Sequence, residues 1–456
     1  MTFSSIPFLF FFFPVMMLLY FAVPAKLKNL VLLVGSLAFC LWGSPQYLLV
    51  ILLTTAMFYG CGLAIAKAEN PKWKKTWMIL SVAVSMAALA SFKGLNVSSL
   101  SLALPIGISF YTFRGISYTV DVYRGKVEPQ KNPITFGAFL LMFPCLMFGP
   151  IVRYTDLAEA FQKRQHSWEN FFLGLRRFII GLAKSVILGG NFLEMLKHLQ
   201  NSADQSVMFY WVLAFSLLMY VYFDCSGCAD QAIGIGRMMG FTFVEDFNYP
   251  YTSLSAQDFW RRWRMSLASW FKDYMYIPLG GNRVSKGRWV LNTLAIWAFT
   301  GLWHGFSITY VLWGLMFAVL LMFERWVPAF KKLPSIIRRI YLILMVTISF
   351  VLFLSPYLAT NGQSDLAAAG HYLGSMFGAG GLPLFSADAW FYLRSSAVLF
   401  VVGIIGVTPL VRNIALRIEN TKVGKVLQVV VMVALLLVSV GYLVSGGDIG
   451  NLYADF

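Results

Sequence analysis

Charged residues are scarce in this sequence. Asp, Glu, Lys and Arg make up 12% of its 456 residues, whereas apolar residues make up 59%. Soluble domains carry about 25% charged and about 45–50% apolar residues. The shortage of charge excludes a soluble domain or a disordered chain, and the composition fits neither collagen nor a disulfide scaffold. It predicts an all-α polytopic membrane protein.

Cysteine and histidine are also rare, with five and four copies. The cysteines lie mostly within apolar runs and lack the spacing of a secreted disulfide framework. Cys225 and Cys228 form one C-x-x-C pair, which neither a second pair of ligands nor a soluble redox domain accompanies. We therefore expect no metal site and no redox chemistry there.

Acidic residues are outnumbered by basic ones. The chain has 36 Lys and Arg against 20 Asp and Glu, which gives a net charge of +16. In a soluble protein this balance would suggest nucleic acid, but here the cations form short clusters between apolar runs. Membrane topology and anionic lipid head groups account for such clusters, so we expect lipid contacts and no nucleic-acid partner.

Long apolar runs dominate the chain. Several are short or interrupted by Gly and Pro, so some should be re-entrant or interfacial, which leaves about eleven true spans. The first run has no basic residue before it, and we interpret it as a retained span rather than a signal peptide. With no internal repeat or linker, residues 1–456 are expected to form a single membrane domain. The runs are 6–23, 29–42, 46–66, 77–92, 104–122, 134–151, 171–193, 207–223, 289–303, 306–323, 339–355, 391–411 and 426–444.

Clusters of Lys and Arg indicate which connections face the cytoplasm. The uncharged turn 44–46 and the stretch 356–390, which has no Lys or Arg, should lie outside. The tail with Asp448 and Asp455 should also lie outside, so both termini would face outward. The connections predicted to lie inside are 26–28, 67–75, 331–339 and 412–425.

His304 is the one Asp, Glu, Lys, Arg or His between Trp289 and Phe323. An ionisable group at membrane depth is costly and is a functional candidate. The fifteen residues before it would extend only about 22 Å as a helix, against a hydrocarbon core of about 30 Å. We therefore place His304 at a break inside the membrane or at a turn, where a cavity is possible.

Two properties favour a catalytic role for His304. Gly301 and Gly305 bracket it, so that backbone or substrate could approach closely. Imidazole can take a proton from a hydroxyl group at neutral pH. The competing interpretation is a histidine that is hydrogen-bonded inside a helix bundle. The other histidines, His166, His198 and His371, are expected on solvated surface.

The segment from Asp258 to Tyr274 contains three Trp and three Arg. On a helical wheel its aromatic residues form one arc, which predicts an interfacial amphipathic helix rather than a span. Arg264 falls at the edge of that arc. The basic residues either contact lipid head groups or bind an anionic substrate group such as a phosphate, and composition leaves both open. The arc consists of Trp260, Trp263, Leu267, Trp270, Phe271 and Tyr274, and Asp258, Arg261, Arg262, Lys272 and Asp273 lie off it.

Two acidic residues, Asp224 and Asp230, follow the apolar run 207–223. Near a membrane boundary a carboxylate can orient a catalytic group or cap a helix. For either residue alone, capping is the expected role.

Nine motifs in this order resemble the bacterial branch of the membrane-bound O-acyltransferase family, most closely its alginate O-acetylase (AlgI-like) type. The resemblance covers nearly the whole chain to about residue 326, with core motifs from residue 104. The motifs are Leu104–Phe113, Asp121–Gly125, Phe148–Tyr154, Tyr222–Gly227, Ala232–Gly236, Phe247–Tyr251, Asp258–Trp263, Tyr276–Arg283 and Gly301–Gly305.

The resemblance implies a ring of transmembrane helices around a thin, funnel-shaped core with a central tunnel. The near-invariant histidine of the family maps onto His304. A second polar position, often His in this branch, maps onto Arg264. A guanidinium is always charged and cannot act as a base. Arg264 would therefore act by binding, or by stabilising an oxyanion or a phosphate.

The resemblance further implies an O-acyltransferase of the bacterial inner membrane that moves acetyl from a cytoplasmic thioester, such as acetyl-CoA, to an exported polysaccharide such as alginate. No bound cofactor is implied. His304 would deprotonate a hydroxyl of the sugar or of a periplasmic partner protein. Arg261, Arg262 and Arg264 would hold donor phosphates or developing charge, and Asp258 would orient them. Trp303 and Asp224 complete the expected substrate-binding set.

Two other functions remain open. Gly- and Pro-broken helices with a buried histidine also suit a transporter or a lipid channel. Arg264 in place of His would suit a catalytically retired scaffold that recruits periplasmic partners. The acceptor is equally open, because alginate, cellulose and peptidoglycan all suit such an enzyme, and D-alanylation of teichoic acid is less favoured by the motifs.

Overall fold

The computed structural model describes residues 2–43, 45–97, 105–200, 202, 205–359 and 362–447. All regular structure in these ranges is helical. Some positions used above lie outside the described residues. They are Ser44 in the outward turn, Leu104 of the first motif, residues 360 and 361 in the uncharged stretch, and the tail 448–456 with Asp448 and Asp455.

The α-helices follow one another with short connections, and we number them in chain order. They are α1 Phe13–Ala22, α2 Lys28–Gly43, α3 Leu48–Lys67, α4 Pro71–Val97, α5 Ile108–Tyr123, α6 Pro133–Leu140, α7 Tyr154–Gln162, α8 Trp168–Ala183, α9 Gly190–Gln200, α10 Val207–Met238, α11 Ala256–Trp260, α12 Met265–Phe271, α13 Lys286–His304, α14 Ile308–Trp326, α15 Pro328–Lys332, α16 Ser335–Leu358, α17 Asp365–Met376, α18 Ala387–Ser395, α19 Ala397–Gly406, α20 Leu410–Ile418 and α21 Lys422–Val444.

Shorter helical segments adjoin several of these helices. π-Helical turns occur at Phe8–Phe12, Lys184–Gly189 and Lys272–Tyr276. The 3₁₀ turns are Ala25–Leu27, Pro45–Tyr47, Phe143–Cys145 and Pro250–Thr252.

Seven helices of the described ranges are long and apolar enough to cross a membrane. Helices α18 and α19, bent by 58° at their junction, would add an eighth span. The all-α polytopic membrane fold is therefore confirmed, whereas the number of about eleven spans stays a prediction. The seven are Ala25–Gly43, Pro45–Lys67, Pro71–Gly94, Val207–Met238, Ile308–Trp326, Ser335–Leu358 and Lys422–Val444.

The apolar run 134–151 shows how polar side chains and proline limit a helix. Asn132 caps α6, its side chain accepting hydrogen bonds from the N–H groups of Ile134 and Thr135 at 2.9 and 3.3 Å. Pro133 occupies the first helical position, where its missing N–H costs nothing. The α-helix ends at Leu140, and a 3₁₀ turn with Pro144 follows. Most of this run is therefore not a spanning helix.

The described chain divides into two compact units. Unit 1 consists of residues 2–182 and 228–246, and unit 2 of residues 183–227 and 247–447. Helix α10 supplies residues to both, since the division falls between Gly227 and Cys228.

Unit 1 is held by aromatic packing and by one charged cluster. The Tyr20 hydroxyl donates to the carbonyl of Met239 at 2.7 Å, which ties α1 to the end of α10. Arg177 on α8 donates to Asp230 at 2.7 Å and to Glu245 at 2.9 Å. A buried cluster of five rings contains Phe3, Phe8, Phe12, Phe39 and Phe143.

Candidate functional site

His304 is the last residue of α13 and lies in unit 2. The helix begins after Ser285, whose hydroxyl accepts a hydrogen bond from the N–H of Arg288 at 3.4 Å. After the extended residue Gly305, Ser307 caps α14 by accepting from the N–H of Thr309 at 3.3 Å. His304 therefore lies at a turn between two helices, which is one of the two placements that the sequence predicts.

The glycines around His304 allow α13 and α14 to pack closely. A Cβ on Gly301 would collide with the carbonyl oxygen of Tyr310, and one on Gly314 would collide with that of Trp297. A Cβ on Gly305 would lie 2.8 Å from the ring of Tyr310. The backbone and side chains of the helix pair fill the space beside these glycines. Of the two interpretations offered for Gly301 and Gly305, close approach of the protein itself is the one observed.

Aromatic rings surround the imidazole of His304. Trp303 is 4.5 Å away between ring centroids, Phe353 of α16 is 4.8 Å away, and Trp313 of α14 is 5.2 Å away. The ring planes of Phe353 and Trp313 are nearly perpendicular to that of the imidazole, with interplanar angles of 87° and 88°. The Nδ1 atom is buried, although the residue as a whole is half-buried. Three helices thus fix the imidazole in an apolar wall, where electrostatic interactions are stronger than in water.

The segment predicted as one amphipathic helix, Asp258–Tyr274, is broken, and that prediction is wrong. Helix α11 ends at Trp260, a turn covers residues 261–264, and α12 begins at Met265. In a continuous helix the carbonyl of Arg262 would accept from the residue four positions later. It accepts instead from the N–H of Asn248 at 2.9 Å. A hydrogen bond from a distant part of the chain therefore replaces the helical one.

The aromatic arc of this segment faces protein. Trp263 and Trp270 are 5% and 3% exposed. The ring of Trp263 lies 5.0 Å from that of Phe247 and 5.5 Å from that of Phe350. These side chains pack inside unit 2 and do not form a lipid-facing surface.

The three arginines of the segment lie in different environments. Arg261 is exposed, and Arg262 is half-buried with its Nε 3.1 Å from a carboxylate oxygen of Asp258. Arg264 is only 5% exposed and has φ 45° and ψ 54°. With Tyr249, it is one of two non-glycine residues with positive φ in the described ranges. A left-handed backbone conformation at a non-glycine residue costs about 1–3 kcal/mol, and such residues are concentrated at functional sites. Of the three arginines, Arg264 is therefore the strongest candidate for a functional residue.

Aromatic contacts connect the segment to the hairpin that carries His304. Trp260 lies 5.8 Å from Trp313, which is itself in contact with His304. Phe271 lies 6.5 Å from Trp303. Trp260 and Phe271 are on either side of Arg264 in the sequence. One aromatic cluster in unit 2 therefore includes the His304 turn and both flanks of the Arg264 turn.

Glu324 connects α14 to the start of α11, just before the Arg264 turn. Sequence reasoning did not identify it. Its carboxylate, on α14, accepts from the N–H groups of Ala256 and Gln257 at 2.5 and 3.2 Å, at the start of α11. The residue is 6% exposed. A carboxylate at the end of an apolar run normally indicates a membrane boundary, so the sequence carried no signal for this contact.

Asp224 and Asp230 do not cap helices, and the expectation for both is wrong. Helix α10 continues to Met238, so both residues lie in its interior. Asp230 pairs with Arg177. The polar contact of Asp224 among the described residues is made by its backbone carbonyl, which accepts from the Ser185 hydroxyl at 3.5 Å. Asp224 is therefore packed against the π-helical turn that precedes α9.

A second residue that sequence reasoning missed is Arg114 of α5, in unit 1. It is fully buried, and its guanidinium lies 5.1 Å from the ring of Phe139. None of its three guanidinium nitrogens has a hydrogen-bond partner among the described residues. The signal was available, because a charged residue inside the apolar run 104–122 is a functional candidate by the argument applied to His304.

Metal ligands do not cluster in the part of the chain that the structure describes. No group of three or more His, Cys, Asp or Glu residues there is placed to hold a metal ion. Cys225 and Cys228 are not joined by a disulfide.

The model of the membrane-bound O-acyltransferase family matches residues 37–361, which include both the His304 turn and the Arg264 turn. A probable alginate O-acetylase of Pseudomonas aeruginosa is 39% identical over 376 residues, which cover 77% of this chain and 72% of that protein.

Relatives with other acceptors are more distant. A peptidoglycan O-acetyltransferase of Helicobacter pylori is 31% identical over 371 residues, covering 71% of this chain and 70% of that protein. A teichoic acid D-alanyltransferase of Bacillus subtilis is 29% identical over 265 residues, covering 54% and 67%.

Proposed function

Because this chain belongs to the membrane-bound O-acyltransferase family and is a multi-pass membrane O-acyltransferase, we propose that it takes acetyl from a cytoplasmic thioester and passes it to a hydroxyl group for O-acetylation of an exported polysaccharide. The main support is the position of His304. It is the one Asp, Glu, Lys, Arg or His side chain of the run 289–323, and aromatic rings hold it at a helix turn.

The reaction needs a base and a site for negative charge. The imidazole of His304 removes the proton of the acceptor hydroxyl as its oxygen attacks the thioester carbonyl. A carbon–oxygen bond forms, the carbon–sulfur bond breaks, and the imidazolium returns the proton to the leaving thiolate. The guanidinium of Arg264 stabilises the oxyanion of the tetrahedral intermediate or a phosphate of the donor.

The neighbouring residues have supporting roles in this proposal. Asp258 holds Arg262 through their 3.1 Å ion pair, and exposed Arg261 binds anionic groups of the donor. Trp303 restricts the imidazole from one side. We leave Asp224 out of the mechanism, because its position on α10 against Ser185 gives no support for contact with substrate.

The same relatives support our proposal for the acceptor and the location. Acetyl transfer to alginate or a similar polysaccharide is favoured over D-alanyl transfer, because the alginate O-acetylases are 37–39% identical and the D-alanyltransferases 26–29%. We place the enzyme in the bacterial inner membrane, with acetyl-CoA as the donor on the cytoplasmic side. A periplasmic acetyltransferase that relays the acetyl group to the polysaccharide would be its partner.

Purified protein in lipid nanodiscs with labelled acetyl-CoA tests the assignment. We expect His304→Gln to lower acyl transfer by about 10²–10⁴-fold, since that is what a general base contributes. His166→Gln, which changes a histidine of unit 1, should retain full activity at pH 7.5. Equal activity of His304→Gln and wild type would contradict the role of His304. A wild type without turnover that gains it on Arg264→His would support the retired scaffold instead.

A further inference from the structure

A second candidate site lies in unit 2, away from the Arg264 turn in the sequence. A cavity of about 250 Å³ opens between the end of α9, the first turn of α10, the end of α16, and α17. Hydrogen bonds connect the start of α10 to the end of α17 and to the segment that follows it. The N–H groups of Val207 and Met208 donate to the carbonyls of Pro383 and Leu384 at 3.0 and 3.1 Å. The indole N–H of Trp211 donates to the carbonyl of Met376 at 2.8 Å.

The floor of the cavity is apolar and aromatic. Phe209, Leu213 and Leu358 are buried there. The rings of Tyr210 and Tyr372 meet edge to face at 5.5 Å between centroids. Such rings offer flat apolar surfaces with polar edges, which suit a ligand that is itself apolar on its faces and polar around its rim.

The lining residues that the structure describes at the rim are polar and uncharged, and one of them, Ser202, donates a hydrogen bond to the carboxylate of Asp388 at 3.0 Å. Three glutamines, Gln200, Gln205 and Gln363, line it and are exposed. His371 is hydrogen-bonded to the Tyr210 hydroxyl, with 3.0 Å between its Nε2 and the phenolic oxygen. None of the lining residues that the structure describes is Lys, Arg, Asp or Glu. Amide groups both donate and accept hydrogen bonds, as sugar hydroxyls do, whereas an anionic ligand would meet no opposite charge.

The size and the position of the cavity agree with this chemistry. Drug-sized ligands occupy pockets of about 300–1,000 Å³, so a cavity of about 250 Å³ suits a single sugar ring. Helix α10 begins at the cavity and has Arg237 in its last turn. The stretch 356–390, which supplies Gln363 and His371, has no Lys or Arg. By the positive-inside rule the cavity lies on the outer side of the membrane.

We propose that this cavity binds one neutral sugar residue of a glycan on the outer side of the membrane. Its use as part of the acceptor site rests on the proposed function and would make the exported acceptor a neutral glycan such as cellulose rather than the anionic alginate. Sugar binding itself rests on neither. Tyr372 packs against the C–H face of the sugar ring, Tyr210 supports the Tyr372 ring from the side, and the glutamines bind the sugar hydroxyl groups.

Binding is measured without any acyl donor, so that it is independent of catalysis. Protein in nanodiscs of uncharged lipid is titrated with cellohexaose, a neutral glucan, and with an oligomannuronate of equal length, and followed by saturation-transfer NMR. Cellohexaose should bind, and Tyr372→Ala and Gln205→Ala should each weaken it by about tenfold. Trp390→Ala removes an aromatic ring that is 59% exposed and does not line the cavity, so it should leave binding unchanged. Thermal unfolding shows whether each variant is folded.

Several outcomes would overturn the proposal. Absence of cellohexaose binding, preference for the oligomannuronate, or equal binding by folded Tyr372→Ala would each do so. If Tyr372→Ala instead abolishes binding of a periplasmic protein while cellohexaose does not bind, the cavity is a protein-docking site and the sugar proposal fails. Sugar binding without acyl transfer would contradict the proposed function and leave this inference intact.

Discussion

Arg177 in unit 1 and Arg264 in unit 2 are both arginines at the edge of apolar sequence, but they lie in opposite environments. Arg177 is on a regular helix and bridges the carboxylates of Asp230 and Glu245. Arg264 is in a left-handed turn, 5% exposed, within the segment that packs beside the helices of His304. Charge pairing on relaxed backbone is sufficient to explain the first. The second combines burial with backbone strain, which a structural role alone does not require.

Of these two arginines, Arg264 should have the larger effect on the rate when it is replaced. We expect Arg264→Ala to lower acyl transfer by about 10²-fold, because a preorganised donor to the oxyanion is lost. The rate of Arg264→Lys should lie between those of Arg264→Ala and wild type, since lysine keeps the positive charge but lacks the planar guanidinium group. Rates on labelled acetyl-CoA measure this. Arg288→Ala, at an exposed arginine of the same unit, serves as the control. An Arg264→Ala variant that loses stability but keeps its rate would place Arg264 with Arg177 as a structural residue.

The matching change in unit 1 should affect stability rather than rate. Arg177→Met leaves the carboxylate of Asp230 without its partner and should lower the free energy of unfolding by about 2 kcal/mol. Thermal or SDS-induced unfolding in detergent measures it, with exposed Lys163→Met as the control. Adding Asp230→Asn should recover part of the loss. If it recovers nothing, the ion pair is not the cause.

Glu324 tests how the Arg264 turn is held. Glu324→Gln removes the charge that accepts from Ala256 and Gln257, and should cost about 1 kcal/mol of stability. If Glu324 positions the turn, kcat should fall while the KM for the donor stays close to wild type. Glu159→Gln changes an exposed glutamate of α7 and should alter neither quantity. A loss of stability with unchanged kcat would reduce Glu324 to a packing role.

The smallest expected effect is the contribution of His166, in unit 1, to the pH dependence of stability. Burial lowers the pKa of His166 from its ordinary 6.5 to about 4, and the charges of Lys28, 3.0 Å away, and Arg164 act in the same direction. Between these values the unfolded chain binds a proton that the folded chain does not. Stability should therefore be lost progressively as pH falls from about 6.5 to about 4.

Melting temperatures from pH 7 to pH 4 measure this effect. His166→Gln should flatten the curve, because the shifted group is removed, but only slightly, because His166 is just partly shielded and solvent screens its interactions. An unchanged pH dependence in this variant would show that other groups cause the acid loss.

Local sequence was a good guide to His304 and a poor one to the arginines. A single ionisable side chain in a long apolar run stands out whatever it packs against. The aromatic arc of the segment Asp258–Tyr274 predicted an interfacial helix, whereas Trp263 and Trp270 are buried inside unit 2. The break between α11 and α12 depends on Asn248, ten positions before Asp258, whose N–H takes the place of a helical donor. Helical periodicity contains no information about such a bond.

The end of helix α10 was also predicted wrongly from local sequence. The polar residues after Tyr222 suggested that a span had ended there, and the caps assigned to Asp224 and Asp230 followed from that. The helix continues to Met238, Arg177 neutralises Asp230, and Asp224 and Ser226 are buried in the protein. Polar residues at membrane depth are tolerated inside a helix where they face the interior of the protein.

The sequence by itself determined that this is a membrane protein, that it is helical, which family it belongs to, and that His304 is the one ionisable residue of a long apolar run. All four follow from composition, from the order of motifs and from the high cost of charge in an apolar medium. Only the tertiary structure decided which arginine is buried, where the amphipathic segment breaks and what fills the space beside Gly301. These depend on contacts between residues far apart in the chain, and the free energy of such contacts outweighs local preference.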